Sequence, residues 1–226
     1  MAEPECLINV RGLSVFAGQR RLLHEVQLSI IGGRACALVG PSGVGKSTLL
    51  KCLNRLIDLT PGLRVQGDVL FHGISIYAPG TDVDALRARV GMLFQQPAVF
   101  PVSIRKNVLF GVRHLGRVSK RDWPDILERS LHEASLWTEV KDRLDESALK
   151  LSVGQQQRLC LARTLAVGPE VILLDEPTSA LDPRSTEAVE DSLLRLKGHR
   201  TLVLVTHNPA QAQRLADQIV TLTPPS

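Results

Sequence analysis

Short apolar runs alternate with stretches of helical periodicity along most of the chain. Residues 7–10 and 26–30 are rich in β-branched and apolar side chains and flank a polar turn, Gly18-Gln19-Arg20-Arg21, which predicts two short strands. Residues 35–39 form a compact apolar strand that runs straight into a glycine-rich loop. Leu49, Leu50, Leu53 and Leu56 then recur at helical spacing until Thr60-Pro61-Gly62 ends the helix. Strands are predicted at 69–71 and 90–94. From 103 to 149 the pattern is helical, broken at Gly111, Gly116 and Pro124, and reads as an inserted helical lobe. A helix at 155–167, stopped by Gly168-Pro169, precedes strand 171–174, helix 186–197, strand 202–205, helix 209–216 and a last strand at 219–222. Strands alternating with helices predict a mostly parallel sheet in a doubly wound α/β core, with ligand-binding loops at the carboxyl ends of the strands.

Composition narrows this little. The 226 residues, 44% hydrophobic and 22% charged, fit one large globular core and exclude collagen-like, disordered and disulfide-scaffold chains. No run approaches the ~18 apolar residues of a membrane span. The start, Met1-Ala2-Glu3-Pro4-Glu5, lacks the basic and apolar stretches of a secretory signal. The chain is therefore expected neither to cross a membrane nor to be exported. Cys6, Cys36, Cys52 and Cys160 are widely spaced, with no CxxC pair and no zinc-finger histidines, and are expected to be buried reduced thiols. The net charge of +4 is mild. Its distribution is uneven: residues 85–121 contain no Asp or Glu but include Arg87, Arg89, Arg105, Lys106, Arg113, Arg117, Lys120 and Arg121. That stretch fits a solvated basic face, a surface toward anionic lipid, or one toward an acidic protein. Nucleic acid is not expected, because no aromatic residues alternate with these charges as a stacking platform.

Chemistry concentrates in the glycine-rich loop. Gly40-Pro41-Ser42-Gly43-Val44-Gly45-Lys46-Ser47-Thr48 fits the phosphate-loop pattern GxxxxGK[ST], with a strand before it and a helix after. The glycines let backbone N–H groups close around phosphate oxygens at a helix N-terminus. Lys46 is placed to reach the β- and γ-phosphates and Ser47 to ligate Mg²⁺. At the end of the apolar strand 171–174, Asp175 is expected to hold the metal through water and Glu176 to polarise the attacking water. An Asp-Glu pair before Pro177-Thr178 also fits a helix N-cap, but together with the loop at Lys46 the nucleotide reading prevails: the chain is expected to bind ATP. Ser152 and the amides of Val153-Gly154-Gln155 open a helix and form a second anion site. One chain already holds one phosphate cradle, so this second one is best explained as completing a partner's site in a dimer. Gln95, after strand 90–94, is placed to reach magnesium and the lytic water, and His207, after strand 202–205, the γ-phosphate.

This order of motifs resembles the ATP-binding subunits of ABC transporters over about residues 7 to 222. Lys46 with its loop matches the Walker A motif, Gln95 the Q-loop, and Ser152 to Gln155 the signature motif. Asp175 and Glu176 match Walker B with its catalytic glutamate, Ser179-Ala180-Leu181-Asp182 the D-loop, and His207 the switch histidine. Within the family, residues 53–62, 90–97, 100–108 and 155–163 are most similar to phosphate-import ATP-binding subunits. The resemblance implies a P-loop NTPase (RecA-like) core with a mainly parallel sheet, an N-terminal antiparallel β portion and an inserted α-helical subdomain. It implies one ATP-binding domain over residues 5–226, with the helical subdomain at about 103–165. Two copies, or this chain and a homologous ATPase subunit, would sandwich ATP head to tail and pair with integral membrane permease subunits and a solute-binding protein. The chain would be peripheral, on the cytoplasmic side of the inner membrane, and hydrolyse ATP to import phosphate. An ATPase for another solute, such as a metal, an oxyanion or a lipid, or a soluble non-transport ATPase, are the competing readings.

The sequence departs from the family pattern in four places. Val153 replaces the first glycine of the usual LSGGQ. Near Gly18, where an aromatic usually stacks on adenine, Ala17 precedes the glycine and Phe16 becomes the candidate. Arg105-Lys106 precede Asn107 where an acidic residue is common. Pro224-Pro225-Ser226 ends the chain short of the usual C-terminal extension.

Overall fold

The computed structural model describes residues 6–224, so Met1 to Glu5 and Pro225-Ser226, which carry the readings on both termini, lie outside the described residues. A 12-residue strand β1 (Cys6–Ala17) turns through Gly18-Gln19 into an equally long β2 (Arg20–Ile31), followed by β3 (Ala35–Val39) and helix α1 (Lys46–Leu53). Next come β4 (Leu63–Phe71), the short β5 (Ile74–Ser75), helix α2 (Val83–Arg89) and β6 (Val90–Leu93). Helices α3 (Ile104–Val108), α4 (Phe110–Leu115), α5 (Trp123–Glu133), α6 (Trp137–Val140) and α7 (Val153–Ala166) follow. The chain closes with β7 (Val171–Asp175), α8 (Pro183–Leu196), β8 (Thr201–Val205), α9 (Pro209–Leu215) and β9 (Gln218–Thr221).

These strands form two sheets. One is antiparallel, in the order β2-β1-β4-β5, and the other parallel, in the order β6-β7-β8-β3-β9. The period-2 alternation of side chains along the parallel strands sorts the core into two halves. Ile172, Leu174, Leu202 and Leu204 face the helices, packing with Leu131 of α5 and Leu159 and Leu161 of α7. Val171, Leu173, Val203 and Val205 face the other way, against α1 (Leu49, Leu50, Leu53) and the antiparallel sheet (Ile8, Leu13, Val69). The helical segment thus shares its apolar interior with one face of the parallel sheet. Because β3, β7 and β8 are adjacent and parallel, their carboxyl ends bring the loops after Val39, Asp175 and Val205 to one edge.

Several elements differ from the sequence expectation. β1 and β2 run well past residues 7–10 and 26–30 because register shifts, including one between Val10 and Leu13, let pairing continue across an irregular stretch. Gly111 breaks nothing: it lies inside α4, packed where an added Cβ would meet Val167 at 2.6 Å. Pro124 is the second residue of α5, its missing N–H falling among the unpaired donors of the first turn. Gly116, by contrast, does end a helix, in the left-handed conformation. Asp175-Glu176 caps no helix; the next one begins only at Pro183. Cys36, Cys52 and Cys160 are buried free thiols, but Cys6 is at intermediate exposure. The basic stretch is partly consumed within the chain. Arg87 donates to the Arg55 carbonyl, Arg89 to Glu170 and Arg105 to Asp145.

Candidate nucleotide site

The loop between β3 and α1 delivers Lys46 as the first residue of α1, with Gly45 as an N-cap that has no side chain to occupy the free N–H groups of the first turn. A cavity of about 210 Å³ lies against it, lined by Ser42, Gly43, Gly45, Lys46, Ser47, Thr48, Glu176 and His207. The Lys46 side chain is only 5% exposed. Its Nζ donates to the carbonyls of Gly40 and Pro41, each at 2.8 Å. Burial pulls its ammonium below the ordinary lysine range, while the carboxylates of Glu176 and Asp175 act in the opposite direction. Gly40, Pro41 and Val44 shape the loop from outside the lining, and Val44 is buried in the core beneath it.

From the end of β7, Asp175 Oδ1 accepts a 2.7 Å hydrogen bond from Ser47 Oγ. A hydroxyl and a carboxylate at this spacing are hard oxygen donors of the kind that suit Mg²⁺. They fit a magnesium site that phosphate and water would complete. Glu176 follows with φ of +46°, a left-handed backbone that costs a non-glycine residue roughly 1–2 kcal/mol. Its N–H bonds to the Val205 carbonyl at 3.0 Å, which fixes the turn. The carboxylate is held at both oxygens: Oε1 is 2.5 Å from His207 Nε2, and Oε2 accepts from Gln95 Nε2 at 3.2 Å. Gln95 also donates to Ser179 Oγ at 3.2 Å, and that hydroxyl donates back to the Glu176 carbonyl.

Not every expected residue converges here. Gln95 reaches Glu176 rather than the Ser47–Asp175 pair. Ser152, Gly154 and Gln155 do not line the cavity. Ser152 caps α7 in a full capping box with Gln155, whose amide also donates to Glu139 Oε2 at 2.8 Å. Val153 occupies the first helical position, 51% exposed, so the valine leaves that cap intact. Gly154 sits against Ser185 with no room for a Cβ. Asp182 caps α8, both of its oxygens bonded to Ser185, and those bonds hold its carboxyl below the usual range. Phe16 also lies outside the lining, with the guanidinium of Arg64 4.8 Å from its ring centroid. Sequence reasoning gave Ser179 no role of its own and overlooked Gln157, whose contacts lie far along the chain.

A parallel sheet with a phosphate-loop lysine beyond the end of β3 and paired carboxylates at the end of β7, two strands across, defines a P-loop nucleotide-binding protein. The family model described as "ABC transporter" matches residues 23–179, and the chain belongs to that family. It is an ABC ATP-binding subunit and an ATPase. The chain is 51% identical to the phosphate import ATP-binding protein PstB 1 of Vibrio parahaemolyticus serotype O3:K6 (strain RIMD 2210633), across 96% of this chain and 80% of that one. It is 50% identical to the phosphate import ATP-binding protein PstB of Pseudoalteromonas translucida (strain TAC 125), across 93% of this chain and 77% of that one. In fold it is similar to cbiO1 from Clostridium perfringens, part of the ABC transporter complex cbiONQ. That match has a TM-score of 0.84 at 24% identity, covering 98% of this chain and 86% of that one.

Proposed function

We propose that this chain is the ATP-hydrolysing subunit of a phosphate importer, working from the cytoplasmic side of the inner membrane with permease subunits and a solute-binding protein. Identity of about half the residues to phosphate import ATP-binding proteins, over nearly the whole chain, supports the cargo. Among the described residues no helix is long and apolar enough to cross a membrane, so membrane-spanning partners would carry the solute. The observation that carries the hydrolytic reading is the Glu176 carboxylate held between His207 and Gln95 at the rim of the Lys46 cavity.

In this reading residues 5–226 form one ATP-binding domain with a helical insertion at about 103–165. Lys46 and the amides of Gly43 to Thr48 hold the phosphates and offset the charge that develops on them, the largest catalytic contribution. Ser47, Asp175 and Gln95 would hold Mg²⁺, which when bound would neutralise phosphate charge. Glu176 takes a proton from the attacking water, and His207 orients the carboxylate. Phe16 and Asp182 contribute to the nucleotide's surroundings. Ser152, Gly154 and Gln155 lie outside this chain's cavity because they serve the ATP of a second copy, docked head to tail. Glu176→Gln tests the reading: it should bind ATP and lose turnover. Tagged and captured with ATP from detergent-solubilised membranes, it should bring down the permease of a phosphate importer. Unchanged hydrolysis would refute the site, and a permease for another solute, or only soluble partners, would refute the cargo.

A further inference from the structure

The two groups that hold the reacting end of the site, Gln95 and Glu176, sit on separate loops, after β6 and after β7. Each loop is tied to the same side chain. Gln157, on the second turn of α7, has 0% exposure. Its Nε2 donates at 3.0 Å to the carbonyl of Phe94, the residue before Gln95. It also donates at 3.0 Å to the carbonyl of Pro177, the residue after Glu176. Two carbonyl acceptors require the nitrogen of the amide to face them, so the orientation of the group is fixed by its partners. The cost is at the other end: Gln157 Oε1 is buried with no partner among the described residues. An unpaired buried carbonyl is unfavourable, and an apolar residue at 157 would avoid it. Keeping an amide there is therefore explained by what its two N–H groups hold.

Helix α7 gives those bonds a second meaning. Its N-terminus is the Ser152–Gln155 capping box, and Gln157 is only three residues past Gly154. One turn of helix separates the surface proposed above to meet a second copy from the side chain that holds both loops. Arg163, further along α7, holds the same strand-end segment through the Ala98 carbonyl at 2.7 Å. We infer that Gln157 is the positioning residue of this ATPase, locking Gln95 and Glu176 into one constellation and tying both to the helix that faces the second copy. The inference rests on Glu176 and Gln95 acting in hydrolysis, as proposed above.

The test compares wild type with Gln157→Leu and Gln157→Glu, alongside Glu176→Gln. Leucine removes both donors at nearly equal volume. Turnover at saturating ATP should fall roughly 10- to 100-fold, the scale of one or two lost buried hydrogen bonds, with the affinity for ATP little changed. Glutamate keeps the shape but can donate only when protonated, and two carbonyl oxygens in a buried setting raise its pKa. With its one O–H it restores one of the two bonds, so turnover should be highest in acid and fall as pH rises, whereas wild-type turnover should not rise toward acid; because ionisation of the buried carboxyl also lowers the melting temperature, turnover is read well below it at every pH. If leucine unfolds the protein, the glutamate profile alone decides. Turnover in folded Gln157→Leu equal to wild type overturns the inference. So does a loss of ATP affinity matching the loss of turnover, or a Gln157→Glu profile parallel to wild type. If Glu176→Gln abolishes turnover while Gln157→Leu does not, only the positioning role fails; if Glu176→Gln keeps turnover, both readings fall.

Discussion

Two glycines of the phosphate loop, two residues apart, are expected to respond very differently to alanine. Both have left-handed backbones, with φ of +76° at Gly43 and +99° at Gly45. Holding an alanine there costs each roughly 1–2 kcal/mol. Their surroundings separate them. A Cβ at Gly43 would meet nothing within 4 Å. At Gly45 it would lie 2.5 Å from Leu23 Cδ2 and 2.8 Å from the Leu22 carbonyl. Leu23 is 3% exposed and the carbonyl belongs to strand β2, so neither can step aside freely. Overpacking of this kind adds about 1–3 kcal/mol. Gly43→Ala should therefore destabilise by about 1–2 kcal/mol and Gly45→Ala by about 2–5 kcal/mol. Urea unfolding followed by circular dichroism measures both, and the midpoints should shift at constant slope. ATP affinity should fall further in Gly45→Ala, because relief of the clash moves the first turn of α1 and with it Lys46. Equal losses in the two variants would refute the reasoning, since they would mean that the packing of β2 against the loop has no energetic weight.

Two further outcomes follow from contacts of single groups. His207→Ala deletes the 2.5 Å contact between Nε2 and Glu176 Oε1 and should lower turnover roughly 100-fold with little change in ATP affinity; a turnover equal to wild type would remove His207 from the reaction. Glu170 accepts from Arg89 and His72, and the Arg89 hydrogen bond first, aided by His72, holds its carboxyl below the usual range against the opposing effect of burial. A carboxylate depressed in the folded state adds stability above its unfolded pKa and loses it as pH falls through the folded value. The stability gap between wild type and Glu170→Gln should thus be open near pH 7 and shrink by about pH 3. Urea midpoints at the two pH values check this, and a gap that widens in acid would contradict it.

What the sequence made legible follows from how local each signal is. The phosphate loop is nine consecutive residues whose backbone chemistry is written in their order, and Lys46, Ser47 and Gly45 stand where that order requires. Strands β7 and β8 are buried on both faces, so unbroken apolar runs mark them. Helix α2 was invisible because it buries only Leu86 and gives no apolar periodicity; its surviving signal is Asp82, which caps it through Ala85 N–H. Gly111 misled because a glycine in a helix is also what close packing against Val167 demands. The hand-off of Gln95 to Glu176 and Ser179, and the two bonds of Gln157, join residues between 20 and 84 positions apart. No periodicity or motif spacing encodes such pairs; they follow only from the adjacency of β6 and β7.

The charges of the site carry one more consequence for Glu176→Gln. A polyphosphate is strongly anionic, and it must settle beside the Glu176 carboxylate that lines the cavity with Lys46, with the Asp175 carboxylate one hydrogen bond behind Ser47. Asp175 accepts from Ser47, and Glu176 is held by His207 and Gln95. Replacing Glu176 by glutamine keeps the shape and an acceptor oxygen, and deletes the charge of the one carboxylate among the cavity-lining residues. At an effective dielectric of about 30 to 60, removing a like charge about 5 Å away is favourable by roughly 1–2 kcal/mol, or about five- to thirtyfold in affinity. Glu176→Gln should therefore bind ATP more tightly than wild type, with a gain that shrinks as ionic strength rises. Titration of a fluorescent ATP analogue at low and high salt measures both. Weaker binding at low salt would show that the charge of Glu176 helps to hold the nucleotide with its cation more than it repels the phosphates, and would move Glu176 from proton acceptor to binding residue.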